Sequence, residues 1–319
     1  MTTPPGAGGL QMMVTLAPTD LPLLRRHAAL ADEAGIDALG LGDSPLYHDP
    51  FVSAAVVAGV TRRIRIGPMV TNLVSRAPFT IARALASVED LAGPHRTFAG
   101  VGAGDSALAA IRRRPLRVDE FRASLVDLHD ATVRLGSSTA IVVAANGPRT
   151  LAMADEVADV VVSGNGTDPA GLEALVARST RAEPWVVSRT SIGPDPDRAL
   201  DELLPLLASG ANHVFAAARN RAALSPAELA GVEQLRARYD YGAHGRPAAE
   251  NPNARLVDQL GLRELLAGRF ATVGDARTVA GRFRELAAAG VRGVVVPAVG
   301  VDVEPLLTGL GEVVALLRG

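Results

Sequence analysis

The sequence predicts an α/β fold, a (β/α)8 TIM barrel with a helical insertion between strands 7 and 8, and three observations carry that expectation. Eight short apolar, β-branched runs punctuate the 319 residues, amphipathic stretches separate them, and glycine or small polar residues follow nearly every run. Runs that are apolar throughout, with no polar/apolar alternation, suit parallel strands covered on both faces. Alternating strand and helix patterns build βαβ units, and eight such units with no long edge strand favour closure into a barrel.

In order, the runs are LQMMVTLAP (10–18), IDALGLGD (36–43), IRIGPMVTN (64–72), TFAGVGAGD (97–105), AIVVAANGP (140–148), ADVVVSGNG (158–166), PWVVSRTSIG (184–193) and VRGVVVPAVG (291–300). After the first, Thr19 or Asp20 offers a capping oxygen to a helix whose Leu24, Ala28 and Ala31 share one face, and Gly35 ends it. The same Ala-Gly exit returns at Ala289–Gly290 before the eighth run. The connection from residue 193 to residue 291 far exceeds the roughly 4–6 residues usual between elements. It holds helical patterns at 225–238, 254–267 and 275–289. The last is the barrel's own seventh helix, so about 195–270 is expected as the insertion, lying over the C-terminal mouth. The polar, Pro/Gly-rich stretch 240–255 reads as a mobile loop and residues 1–9 as a flexible N-terminus. No linker divides the chain, so residues 1–319 are expected to form one domain.

Composition removes several classes of function. Hydrophobic residues at 48% and charged residues at 21% provide for a large core. A formal net charge of −2 gives no general attraction to nucleic acid. With no cysteine, disulfides, thiolate nucleophiles and Cys-ligated metals are excluded. With no lysine, so are Schiff-base chemistry and a P-loop. His27, His48, His95, His129, His213 and His244 have neither HxH nor HExxH spacing, so no metal centre is expected. No strand ends in the G-x-S-x-G elbow of a serine hydrolase. No apolar stretch of about 18 residues and no export signal occur, so the expectation is a cytoplasmic protein without membrane contact.

In a parallel barrel the C-terminal strand ends form the site. Here they supply Asp43, Thr71 and Asn72, Gly102 to Asp105, Asn146, Ser163 to Gly166, and Ser188 to Thr190. Glycine and small polar residues suit close backbone approach to a planar or phosphorylated ligand better than a metal cage. SGNGTDPAGLEAL puts glycines just before a helix start, where N–H groups favour a phosphate, although a simple capped turn fits as well. GVGAGDS superficially resembles a dinucleotide turn and reads equally as a tight strand-to-helix turn. A carboxylate at Asp43, ending an apolar strand, calls for pairing or function. His48, five residues further on, is a second candidate for proton transfer.

Taken together, three segments resemble the luciferase-like monooxygenase superfamily: LADEAGIDALGLGDSPLYHDPF through SVEDLAG and TFAGVGAGDS, then VVAANGPRTLAMADEVADVVVSGNG, then TVGDARTVAGRFRELAAAGVRGVVVP. The likeness is strongest to its deazaflavin (coenzyme F420)-dependent branch, which includes methylenetetrahydromethanopterin reductase. That resemblance implies a barrel holding a deazaflavin or flavin ring across its mouth. Asp43, Met69, Val70, Asn72, Gly102, Ala103 and Gly104 would lie beside the ring. Ala145, Gly147, Ser163, Gly164 and Gly166 would approach the ring, ribityl chain or phosphate. It further implies a non-prolyl cis peptide at Met69–Val70, a small organic substrate and a homodimer. Three departures stand out: Ser44 replaces a common His after the Asp, GPHR replaces Gly-Arg before the fourth strand, and Ser44 to His48 contain no Trp. Proton transfer therefore falls to Asp43 first, His48 second and Asp105 third, with His244 as another substitute. The implied activity is F420-dependent hydride transfer; the alternatives are an FMN-dependent monooxygenase using dioxygen and a cofactor-binding protein without catalysis.

Overall fold

Ten strands and thirteen α-helices alternate along the described residues, which in this computed structural model are 9–243 and 246–319, without the side chains of Asp105, Ser106, Ala109 and Ala170. The expectation for the N-terminus therefore falls almost wholly outside the described residues, as does His244. The strands are β1 (Gln11–Leu16), β2 (Ala38–Leu41), β3 (Arg65–Pro68), β4 (Phe98–Val101), β5 (Ala140–Ala144), β6 (Val160–Ser163), β7 (Glu183–Val187), β8 (Arg189–Ile192), β9 (Ala271–Gly274) and β10 (Gly293–Ala298). The helices are α1 (Leu21–Glu33), α2 (Pro50–Ala58), α3 (Pro78–Ala92), α4 (Asp105–Ala110), α5 (Val118–Arg134), α6 (Pro148–Val157) and α7 (Pro169–Val176). They continue as α8 (Pro196–Val214), α9 (Pro226–Arg238), α10 (Pro252–Gln259), α11 (Arg263–Phe270), α12 (Ala276–Ala288) and α13 (Val303–Arg318).

Eight strands pair in parallel in the order β3-β2-β1-β10-β7-β6-β5-β4. Isolated parallel bridges, Ile66 to Thr97 and Thr71 to Val101, bring the two outer strands together, so the barrel is nearly closed. The uniformly apolar runs are buried as two-sided strands should be: every residue of β2, β4 and β6 is buried. Met13, Ala38, Phe98, Val142, Val160, Val162, Trp185 and Val295 fill the barrel, while a larger apolar layer packs its outside against the helices.

Helix starts are set by short-range chemistry. Asp20, one of the two expected caps, accepts the Leu23 N–H at 2.7 Å. Proline occupies the first turn of α2, α3, α6 and α7, where its missing N–H costs nothing. Each of these helices starts at the C-terminal end of the strand before it, around the mouth.

The seventh run is not one strand. It leaves the barrel at Ser188, and β8 pairs instead with β9, a four-residue strand absent from the sequence reading. The Ser188 and Thr272 hydroxyls, 2.8 Å apart, pin the fork. Between β8 and β9 lie α8 to α11, with their own apolar core of Leu203, Leu207, Phe215, Val232, Leu235, Leu266 and Phe270. The pattern at 254–267 divides into α10 and α11 around Gly261, and α8 was not foreseen as a helix. Arg189, at the start of β8, is buried between these layers. Its Nε donates to the Leu206 carbonyl at 3.0 Å, its guanidinium lies 4.7 Å from the centroid of the Phe270 ring, and Nη1 has no partner among the described residues. Burial pushes its pKa down to about 10.

Candidate functional site

The mouth is built from consecutive strand ends, β2 to β6, and the residues expected there divide into two neighbouring groups. In the first, Asp43 follows β2 with its side chain 15% exposed. Asp43 Oδ2 accepts the Thr71 hydroxyl at 2.6 Å and Arg76 Nε at 3.4 Å; Oδ1 makes no hydrogen bond among the described residues. Arg76 also donates to Asp49 at 2.7 Å and lies over the Phe51 ring at 5.0 Å, so one guanidinium ties two carboxylates to the start of α2. Burial opposes the charge of Asp49, but the Val52 and Phe51 N–H groups and Arg76 outweigh it and hold its carboxyl below the usual range.

The Met69–Val70 peptide is cis, as the resemblance implies. The backbone there stays tied to both neighbouring strands: the Met69 N–H donates to Leu41 O at 2.8 Å and the Thr71 N–H to Gly100 O at 2.9 Å. Asn72 is buried, and its Oδ1 accepts the Val74 and Ser75 N–H groups and the Ser75 hydroxyl. Gly102 and Gly104 lie against this turn. A Cβ on Gly102 would meet Val70 Cγ2 at 2.9 Å, and one on Gly104 would meet Asn72 Cβ at 2.5 Å. Both glycines therefore serve first to let β3 and β4 lie close together, and Ala103 between them is exposed.

The second group surrounds Asn146, at the end of β5. Its Oδ1 accepts the Gly164 N–H at 2.7 Å and lies 3.4 Å from the Ser163 hydroxyl, and its carbonyl accepts Asn165 Nδ2 at 2.8 Å. The amide orientation is thus fixed, and Asn146 Nδ2 donates to His213 Nε2 at 3.1 Å. Arg219 Nη2 donates to the Asn146 carbonyl at 2.9 Å. Ala145 is buried with its N–H on Val162 O, and the Gly147 N–H is taken by the Thr150 hydroxyl. A Cβ on Gly166 would meet the Arg269 carbonyl at 2.7 Å, so that glycine admits the end of α11. Asp168 stands at the N-terminal side of α7, with Oδ1 buried and unpartnered among the described residues and Oδ2 3.8 Å from Arg269.

His48 is exposed; its N–H donates to Pro18 O, and no hydrogen bond or ion pair joins its ring to Asp43. The Asp105 side chain lies outside the described residues. Sequence reading missed Arg76, His213 and Arg219. Arg76 reaches Asp43 across 33 residues, and the other two reach Asn146 across 67 and 73, so no local spacing signals them. Among the described residues no group of His, Asp and Glu side chains converges as metal ligands would. Nor is any helix long and apolar enough to cross a membrane.

An α/β barrel with polar side chains and glycines gathered at the C-terminal mouth defines a class of enzyme scaffold. The chain belongs to the luciferase-like monooxygenase family, whose model matches residues 7–137 and 108–293. Solved structures share the fold along nearly the whole chain. A coenzyme F420-dependent tetrahydromethanopterin reductase from Methanopyrus kandleri is 18% identical with a TM-score of 0.78, covering 97% of this chain and 100% of that one. An F420-dependent secondary alcohol dehydrogenase, in complex with an F420–acetone adduct, is 14% identical with a TM-score of 0.68, covering 98% and 100%. The oxygenating constituent of 3,6-diketocamphane monooxygenase from Pseudomonas putida, in complex with FMN, is 16% identical with a TM-score of 0.62, covering 97% and 98%.

Proposed function

We propose that this protein is a coenzyme F420-dependent oxidoreductase that transfers hydride between the deazaflavin and a small organic substrate. The observation carrying the proposal is the half-anchored carboxylate: Asp43 Oδ2 is held by Thr71 and Arg76, and Oδ1 at the barrel mouth has no partner among the described residues. A deazaflavin supplies two-electron hydride chemistry when bound. Such a reaction leaves the chain two tasks, placing the substrate and handling its proton. Asp43 Oδ1 holds that proton or the substrate hydroxyl bearing it, while Arg76 and Thr71 fix the carboxylate plane.

The residues present fit such a group. The half-buried Met69–Val70 backbone and exposed Ala103 offer small or main-chain surface after β3 and β4. Beside them, a Cβ on Gly164 would find only Asn146, at 3.7 Å, leaving room for close approach. Two structural relatives are named for F420 dependence, which favours this reading. An FMN-dependent monooxygenase is the second reading, favoured by the relative in complex with FMN.

Titration with F420 and with FMN, read by fluorescence, separates them. Tight F420 binding with turnover of a reducible or oxidisable substrate supports the first. Bound FMN with oxygen uptake replaces it by the second, and binding without turnover across a broad substrate panel leaves a cofactor-binding protein.

A further inference from the structure

Asn146 joins the barrel mouth to two basic side chains, His213 at the end of α8 and Arg219 in the single 3-10 turn that follows. Both are exposed, and among the described residues no carboxylate lies within ion-pair distance of either. Two other arginines near the mouth are committed: Arg76 to Asp43 and Asp49, and Arg269 to the Asn165 carbonyl, near Asp168. The Arg219 guanidinium lies beside Gly147, with Nη2 and Nη1 at 3.8 and 3.9 Å from where a Cβ would stand.

The hydrogen-bond directions make this cluster a set of donors. Because Asn146 donates to His213 Nε2, that imidazole carries its proton on Nδ1, which is left to donate elsewhere. Arg219 spends Nη2 on the Asn146 carbonyl and keeps Nη1 and Nε. The other anion site suggested by the glycine-rich turn is less well disposed. Gly164 has given its N–H to Asn146, and Asp168 puts an acidic oxygen, without a hydrogen-bond partner among the described residues, beside the start of α7. A phosphate meets, on the Asp168 side, a carboxylate with the Arg269 guanidinium 3.8 Å from it, and on the Asn146 side Arg219, which has no ion-pair partner among the described residues.

We propose that His213 and Arg219 form an anion clamp that takes the phosphate of the bound cofactor, with Asn146 setting the position of both. The proposal rests on the cofactor reading above and adds to it the part of the chain responsible, the segment between β8 and β9. It makes that segment a determinant of affinity for phosphorylated over phosphate-free forms of the same ring. Arginine suits the role because its planar fork meets two phosphate oxygens at once.

The test compares four ligands on the full chain by fluorescence titration: F420, its phosphate-free ribityl deazaflavin, FMN and riboflavin. For whichever ring the wild type binds, Arg219→Ala is expected to weaken the phosphorylated form by about 10- to 100-fold, the size of a lost charge-assisted hydrogen bond. The phosphate-free form should be unaffected. His213→Gln should give a smaller loss of the same kind, and Arg219→Lys should recover part of the difference. Equal losses for both forms would mark Arg219 as merely structural and overturn the clamp, as would unchanged affinity for the phosphorylated form. If the wild type binds neither ring, the cofactor reading fails on its own, and inorganic pyrophosphate then tests the clamp. Thermal protection of the wild type that is absent in Arg219→Ala keeps an anion clamp at these residues, and no protection removes it. Protection through Arg219 with cofactor affinity unchanged overturns the assignment to the cofactor.

Discussion

Replacing Gly104 by alanine tests how the glycines at the mouth act. Gly104 has φ +76°, and its added Cβ would stand 2.5 Å from Asn72 Cβ and 3.0 Å from Asn72 Cγ. Asn72 cannot swing aside, because it is buried and its Oδ1 holds two N–H groups and a hydroxyl of residues 74 and 75. The left-handed backbone costs alanine roughly 1–2 kcal/mol. Overpacking adds about 1–3 kcal/mol, and the stiffer unfolded chain returns about 0.4–1 kcal/mol. The balance is a loss near 3 kcal/mol. Gly136 provides the control: its φ is +65° with nothing within 4 Å, so alanine there meets the backbone cost alone, about 1 kcal/mol net. It lies between α5 and β5, at the opposite end of the barrel. Urea unfolding of the two variants measures the difference, and cofactor titration should show weakened binding only for Gly104→Ala. Losses equal to within about 0.5 kcal/mol, the ordinary scatter of surface changes, would refute the argument that Asn72 is wedged against Gly104.

Other outcomes follow from the same geometry. Asp43→Asn should keep the fold, since the amide oxygen still accepts from Thr71, while turnover falls by ~10²-fold or more; near-normal turnover removes Asp43 from the chemistry. Gly164→Asp meets only ordinary contact with Asn146 and should fold, yet its carboxylate repels a phosphate and competes for Arg219, so cofactor affinity should drop. Unchanged affinity would place the phosphate elsewhere. Acid should destabilise the barrel through Asp32 and Asp155. Burial opposes their charge, but the N–H groups of Arg62, Ile64 and Arg63, and the Thr180 hydroxyl with the Ala182 and Arg181 N–H groups, outweigh it and lower both pKa values. A folded pKa below the unfolded one gives stability that is present above about pH 4 and is lost as pH falls further. Denaturant midpoints from pH 6 to 3 check this, and Asp155→Asn should flatten the curve.

The eight barrel strands were legible because two-sided burial leaves an apolar run that needs no partner to be recognised; IRIGPMVTN and TFAGVGAGD each became a strand ending at the mouth. The fork at Ser188 was not legible. PWVVSRTSIG reads as one strand whose apolar start runs into the polar SRTS, and only the arrival of β9 far along the chain draws Arg189 to Ile192 away from the barrel. Strand β9 itself is too short to carry a period, and it follows α11 without a break. In α8, Pro205 and Gly210, both poor helix formers, stand inside the element and speak against a helix there in sequence. Within the site, Asp43, Asn72 and Asn146 could be read because parallel topology dictates which end of each strand matters. Arg76, His213 and Arg219 could not, since each acquires its partner only through the folded chain.

The buried guanidinium of Arg189 has a consequence for how such sequences can change. A Cβ at position 210 would come within 2.5 Å of Arg189 Nη2, so the glycine on α8 and the arginine on β8 are two halves of one joint. Neither can drift alone. A larger residue at 210 would have to displace the buried guanidinium, and a shorter one at 189 would leave a hole beside Phe270 and remove the hydrogen bond to the Leu206 carbonyl. A natural variant that alters one of these positions should alter the other. Grafting the β8–β9 segment onto another barrel of this family, to change what enters the mouth, would succeed only if both residues travel together.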